Sequence, residues 1–355
     1  MSLLKERDSI VDLRESDAAL NTLRFGLDKR IALRAILVGV VSLLLGLAFP
    51  LVVKSSYYQE LALSGVILGI MGLAIAFLAY RSGLVSLGHT AFYGMAGYVV
   101  AITVSRWGFS PIEAAAAGVA AGTLLAVVIG ALVVKSPGMS FVMLTLAFGQ
   151  AFYQLVILDS VRSVTGGYDG LTVTFGAGQK FLWLSQSNMG NAGSFWPLAW
   201  TIAVVCAVGL WLIGRSKLGI LLEAIRENEE RARFSGFNTY GPRLTAFAVS
   251  GLVASLAGVL FVMNGAFASP DMFSFGTAGY SLTATVVGGL TTVVGPLLGA
   301  ILYIYAQAEF AQAGNLQLYT GLALIIVLVF VPGGITGGLM RLAHFVRTRL
   351  PGGRR

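Results

Sequence analysis

Two histidines, His89 and His344, are the only imidazoles in the chain, and the one cysteine, Cys206, lies in an apolar run. No Cys/His cluster offers metal ligands, and one thiol cannot close an internal disulfide. The phosphate-cradling pattern G-x-x-x-x-G-K-[ST] occurs nowhere; Gly176-Ala-Gly-Gln-Lys180 echoes it with the wrong spacing. No nucleophile has both a histidine and a carboxylate in reach, so self-contained catalysis is not expected. What the residues can do is dock. Leu218, Leu221, Leu222 and Ile225 fall at helical spacing, which predicts one amphipathic helix over Leu218–Phe234. Glu227/Arg231 and Glu229/Arg233 are i,i+4 pairs in the favourable order, and Gly236 supplies a stop. Such a helix lies either in a protein groove or on a membrane surface.

A second kind of chemistry is the handling of polar groups at membrane depth. Ionisable residues in apolar surroundings are functional candidates because burying them costs several kcal/mol. Glu113, Asp271 and Glu309 sit at segment boundaries, where solvation accounts for them. His89, in Ser86-Leu-Gly-His-Thr-Ala-Phe92, does not. The pairs Gly288-Gly289 and Gly295-Pro296 interrupt an apolar run, and non-helical backbone at that depth is either buried in protein or lines a cavity. The glycine breaks and the Gly88-His89 corner are therefore the expected solute path, which residues larger than glycine at 288 or 289 would narrow. No chain of Asp, Glu or His forms a proton relay.

The elements that must position these residues follow from composition. The residues AVILMFWYC make up 56% of the 355 positions, and only 11% are charged, against about 25% in an ordinary soluble protein. A soluble enzyme, a nucleic-acid binder and a disulfide-stapled domain are set aside on that ground. The expectation is an all-α polytopic membrane protein. Segments of about 20 apolar residues are Ile31–Val53, Leu61–Tyr80, Leu84–Ser105, Ile112–Val134, Met139–Leu158, Phe195–Ile213, Leu244–Ala268 and Leu318–Leu339. Tyr280–Phe310 would make a helix of about 46 Å, too long for a hydrocarbon core of about 30 Å. Its glycines and proline divide it into Tyr280–Leu290, short enough to be a half-helix, and Val294–Phe310. About ten crossings result.

The net charge of +8 is read as orientation, since Lys and Arg collect in cytoplasmic loops. Residues 1–34, 214–243 and 341–355 carry seven, six and five of the 24 cations. Ten crossings put all three segments, with Arg81 and Lys135, on one side, and Lys54, Arg106, Arg162 and Lys180 on the other. Both termini are then expected in the cytoplasm. The first apolar run is too long and starts too late for a removable signal peptide. The expected organisation is an N-terminal extension at 1–30, a transmembrane domain at 31–340 and a basic tail at 341–355. Within the domain lie an extracytoplasmic loop at 159–194 and a cytoplasmic coupling loop at 214–242.

Several stretches, in order between residues 65 and 340, together resemble one family. They are Gly83-Leu-Val-Ser-Leu-Gly-His-Thr-Ala-Phe92, Thr145-Leu-Ala-Phe-Gly-Gln150, Thr165-Gly-Gly-Tyr-Asp-Gly-Leu171, Leu222-Glu-Ala-Ile-Arg-Glu-Asn-Glu229, Val287-Gly-Gly-Leu-Thr-Thr-Val-Val-Gly-Pro296 and Val331-Pro-Gly-Gly-Ile335. The chain is similar to permease subunits of ABC importers for branched-chain amino acids, of the Liv type. The resemblance implies a second, similar permease, two cytoplasmic ATPase subunits and a periplasmic binding protein as partners, in a bacterial inner membrane. ATP and magnesium would sit on those ATPases, with no cofactor on this chain. It also implies that Glu223, Ala224, Arg226, Asn228, Glu229 and Gly236 couple to the ATPase, although Ile225 stands where the importer loop pattern has an alanine. Gly166, Gly167, Asp169 and Gly170 would mark the extracytoplasmic loop. The same architecture also serves urea, short amides or other small solutes. An ion-coupled secondary transporter would need a coupling-ion site that the scarce buried charge does not supply, and the broken elements disfavour a scaffold that transports nothing.

Overall fold

The computed structural model describes residues 29–176, 178–312, 321, 322, 325, 333–338 and 341. Its principal helices are α1 (Lys29–Leu47), α2 (Ser56–Ser82), α3 (His89–Trp107), α4 (Pro111–Val133), α5 (Gly138–Ile157) and α6 (Ala192–Arg215). They continue with α7 (Lys217–Glu227), α8 (Glu229–Phe234), α9 (Tyr240–Gly265), α10 (Phe275–Gly288) and α11 (Gly295–Gln312). Six helices among the described residues are long and apolar enough to cross a membrane: Ala32–Val52, α2, α4, α5, α6 and α9. The protein is a helical, polytopic membrane protein. Helices α3, α10 and α11 match three further expected segments, while Leu318–Leu339 lies largely outside the described residues.

The sequence explains where these helices begin and end. Ser110 and Glu113 form a capping box at α4, with Ser110 N–H donating to Glu113 Oε2 at 2.9 Å; this satisfies donors left over by the first turn. Gly83 ends α2 in the left-handed conformation at φ 70°, where glycine carries no steric penalty.

Helix α2 is the axis of the bundle, with most of its length buried. Its glycines explain why. A Cβ on Gly65 would come within 2.7 Å of the Ile301 backbone, and one on Gly69 within 3.0 Å of Leu297 Cα. Small residues in this spacing let two backbones approach in lipid, and α11 occupies the stripe. Helices α3, α4 and α9 pack as a second group on the same axis. By contrast α1 is peripheral. It is held by Trp196 and Trp200 of α6, whose indole N–H groups donate to Gly46 O at 2.8 Å and Ser42 O at 3.1 Å.

The two ends of the bundle differ. At one end Ser105 reaches Thr172 O, Arg106 reaches Ser163 O, and Leu171–Thr172 pairs with Phe267–Ala268 as a short antiparallel ladder. At the other, Arg81 meets Glu223 and Lys135 lies over Tyr240. Arg106 and Arg162 thus fall at one end, and Arg81, Lys135 and the 214–242 loop at the other.

Candidate functional site

The coupling segment is two helices and not the single one expected. Asn228 adopts an extended backbone (φ −159°, ψ 102°) between α7 and α8, and its Oδ1 accepts from Arg231 N–H at 2.8 Å. An Asn side chain competes with helical backbone in this way, so it caps a new helix better than it continues an old one. The Glu227/Arg231 pair therefore does not form, whereas Arg233–Glu229 does, at 3.0 Å. Gly236 stops α8 as expected. Its φ is +83°, and Gly236 and Phe237 N–H groups donate to Arg233 O and Ala232 O, the two hydrogen bonds of a Schellman end.

The apolar stripe of α7 faces its own bundle. Leu222 and Ile225 are fully buried. Polar contacts reinforce this seat: Arg81 Nη1 donates to Glu223 Oε2 at 3.2 Å, and Arg226 donates to Tyr80 O. Both guanidiniums lie 5.3 Å from the centre of the Tyr80 ring, within cation–π range. Glu229 joins α8 to α9 through Arg243 at 2.7 Å and Thr239 Oγ1 at 3.2 Å. Burial raises the Glu229 pKa, but the hydrogen bond and charge of Arg243, the Thr239 hydroxyl and Arg233 outweigh it and hold the carboxyl below its ordinary range.

What remains open to a partner is the outer face: Ala224, Asn228, Arg231 and two phenylalanines. Phe234 is 90% exposed and Phe237 54%. Neither phenylalanine is among the residues expected to couple to a partner. The available signal was two aromatics flanking Gly236 in a charged loop, off the apolar stripe.

Gly288, Gly289, Gly295 and Pro296 form one packed knot. The broken backbone is shielded by hydroxyls: Thr336 Oγ1 donates to Gly288 O at 2.7 Å and Gly295 N–H donates to Thr292 Oγ1 at 3.0 Å. Gly333 and Gly334 come close enough that a Cβ on Gly334 would lie 2.5 Å from Gly289 Cα. Two separate sequence stretches, 288–296 and 333–336, thus pack together as one structural unit. Pro296 and Thr285 press against Gly72 of α2.

Gly88 and His89 lie elsewhere. Gly88 is pressed against Thr145 of α5, and His89 is buried, its Nε2 hydrogen-bonded to Ser250 Oγ. The ring centres of Phe92 and Phe247 lie 6.0 and 6.4 Å away. This corner and the glycine knot share no partner among the described residues. His89 Nδ1 has no hydrogen-bond partner there. His89→Ala is expected to lower stability by roughly 2 kcal/mol, since it opens a cavity and strands a buried hydroxyl; chemical denaturation in detergent with a folding-sensitive fluorophore measures this. Gly166, Gly167, Asp169 and Gly170 make a compact turn, with three glycines at positive φ and an Arg162–Asp169 ion pair of 3.0 Å. No group of three His, Cys, Asp or Glu among the described residues could hold a metal.

Crossing helices, a broken helix pair packed on a central one, and a short helix pair fixed to one end of the bundle make up a polytopic helical membrane protein. The family described as branched-chain amino acid transport system, permease component, matches residues 57–332, and the chain belongs to it. The high-affinity branched-chain amino acid transport system permease protein LivM of Escherichia coli K12 is 27% identical over 322 residues, 83% of this chain and 73% of that protein. The protein of that name from Salmonella typhimurium LT2 is 27% identical over 320 residues, 82% of this chain and 73% of its own. The autoinducer 2 import system permease protein LsrC of Yersinia pseudotuberculosis is 30% identical over 144 residues, 38% of this chain and 41% of that one. No solved structure matches.

Proposed function

We propose that this chain is the permease subunit of an ATP-driven importer that moves branched-chain amino acids handed over by a periplasmic binding protein. The observation that carries the reading is the α7–α8 pair. Its apolar face and its arginine contacts fix it to α2 and α9, and Ala224, Asn228, Phe234 and Phe237 face outward. An aromatic exposed to this degree on a polar end suits a pocket on a partner. Closure of two ATPases on ATP would move α7 and α8 and, through them, α2 and the glycine knot. A branched aliphatic side chain suits an apolar path, and the carboxylate of a zwitterion suits helix N-termini. The similarity of part of the chain to an autoinducer 2 permease supports a second reading, the same architecture carrying another small solute.

Uptake into vesicles tests the reading. Transport should follow ATP supplied on the α7–α8 side and not an ion gradient alone. Glu223→Lys reverses the charge facing Arg81, and Gly236→Trp forces a side chain into a left-handed position. Each should leave the chain in the membrane and cut ATP-driven uptake at least tenfold. Normal uptake by both variants in assembled complexes would remove α7–α8 from coupling.

The orientation has its own test. Reporter fusions at residues 10 and 350 should both report the cytoplasm, and a fusion at Gln179 the opposite side. Opposite signals at the two termini would overturn the ten-crossing count.

A further inference from the structure

The end of the bundle opposite α7–α8 carries a second feature, a short hairpin. Lys180–Phe181 pairs with Leu184–Ser185 in an antiparallel hairpin with a two-residue loop, Leu182-Trp183. Leu182 has φ +56°. Glycine, Asn or Asp usually fills such a position, and a larger residue is strained by roughly 1–2 kcal/mol. The turn directs Phe181 and Leu184 into the protein and leaves Leu182 49% and Trp183 62% exposed. Lys180 beside them is exposed too.

Beneath Phe181 runs a groove of about 750 Å³ between α4, α6 and α9. Ala116, Ala120 and Val127 of α4 face Leu252 and Leu256 of α9 across it, and Thr123 is its single polar lining side chain. Thr123 Oγ1 is buried without a hydrogen-bond partner among the described residues.

We propose that the hairpin and the groove form a site for one phospholipid of the leaflet on that side. An acyl chain would lie in the groove, the Lys180 ammonium would meet the phosphate, and the Leu182-Trp183 tip would sit at headgroup level. Three observations carry it. The groove is lined by membrane-spanning helices and is apolar along its length, so a hydrocarbon chain is its chemical complement. A cation is close at hand: the exposed Lys180 directly precedes Phe181, whose ring lines the groove. The level also agrees: Phe181 shares the mouth with Ala115 and Ala116, in the turn after the solvent-exposed Ser110–Glu113 capping box. One turn is about 5.4 Å, which places the tip where Trp side chains settle in bilayers. There an exposed Leu-Trp pair is solvated by lipid, and the strained turn that presents it is offset. The inference rests on the membrane reading and not on cargo or energy source.

The assembled transporter, with Cys206→Ala and either Trp183→Cys or Ala120→Cys, is labelled with bimane in nanodiscs of phosphatidylethanolamine and phosphatidylglycerol. Doxyl groups near the headgroup should quench the probe at 183, and doxyl groups deep in the chain the probe at 120. Each effect should be several-fold stronger than quenching by aqueous iodide. In the native-cysteine protein, Lys180→Glu, an exposed change that leaves the fold intact, should reduce phosphatidylglycerol retained in native mass spectra several-fold. Iodide quenching at 183 without doxyl quenching would put the tip in water or against a soluble partner and overturn the proposal. A probe at 120 that no doxyl lipid reaches in the assembled transporter would mean a protein subunit fills the groove, with the same result. Unchanged lipid retention in Lys180→Glu would remove the phosphate contact on which the site depends.

Discussion

Gly289→Ala should lower the melting temperature of the purified protein by about 8 °C and reduce the amount recovered from the membrane. The residue sits at φ +112°, ψ 118°, a region that only glycine occupies freely, and a side chain there is strained by about 1–3 kcal/mol. The new Cβ would lie 2.5 Å from Thr336 Oγ1 and 2.7 Å from Gly333 O. Overpacking of that kind adds about 1–3 kcal/mol, and it displaces the hydroxyl that satisfies Gly288 O. The sum, roughly 4 kcal/mol, is large beside a typical total of about 5–15 kcal/mol, and it converts to the stated shift at about 2 °C per kcal/mol for a large chain. Gly279→Ala is the control. It lies inside α10, the helix that Gly289 terminates, with nothing within 4 Å of its Cβ, and should be neutral or slightly stabilising. Equal melting temperatures for the two variants would show that the segments at 289 and 333–336 do not meet.

Glu229→Ala should release α8 from α9. Arg243 is 12% exposed and would keep a buried charge without its partner; breaking such a pair costs about 3–5 kcal/mol. Glu229 itself is a third exposed, so solvent screening brings the expected loss to roughly 2 kcal/mol. Hydrogen exchange over residues 229–237 should then speed up about thirty-fold, while α2 and α9 stay protected. Glu229→Gln should behave similarly, because it keeps the shape and loses the charge. The pH dependence has a definite sign. The folded carboxyl ionises below its ordinary range, so its contribution is complete above the unfolded value of about 4.3. It is lost as pH falls through the lower folded value, where protonation breaks the contact with Arg243. Exchange in 229–237, corrected for intrinsic rates, should accelerate there in the wild type and not in Glu229→Gln. Identical pH profiles would assign the anchoring to other contacts.

Much of the helical plan was legible because a bilayer imposes it. Apolar runs of about 20 residues fix α2, α4, α5, α6 and α9 to within a few residues. The division of the long run at 289–294 followed from glycine and proline alone. Contacts between distant segments were not legible. Nothing in the local pattern says that Gly333 and Gly334 close over Gly289, or that a hydroxyl from Thr336 completes a carbonyl 48 residues away. The break at Asn228 was hidden because the charge pairs on either side fit one continuous helix equally well. His89 drew attention as an ionisable group in apolar surroundings, and its partner, Ser250, is one of many serines that periodicity cannot single out. The hairpin at 180–185 is too short to show alternation.

The glycine stripe of α2 also limits how the protein can change shape. Ile301, Leu297 and Pro296 sit opposite Gly65, Gly69 and Gly72 like teeth in a rack. Sliding α11 along α2 by even half a turn would drive these side chains onto the bulkier residues between the notches. The two helices therefore share a fixed axial register, and with the glycine knot they travel as one rigid spar. A push arriving at Tyr80 and Arg81 would move the two helices together, with no sliding of one along the other. Any opening and closing then falls to seams where no teeth engage.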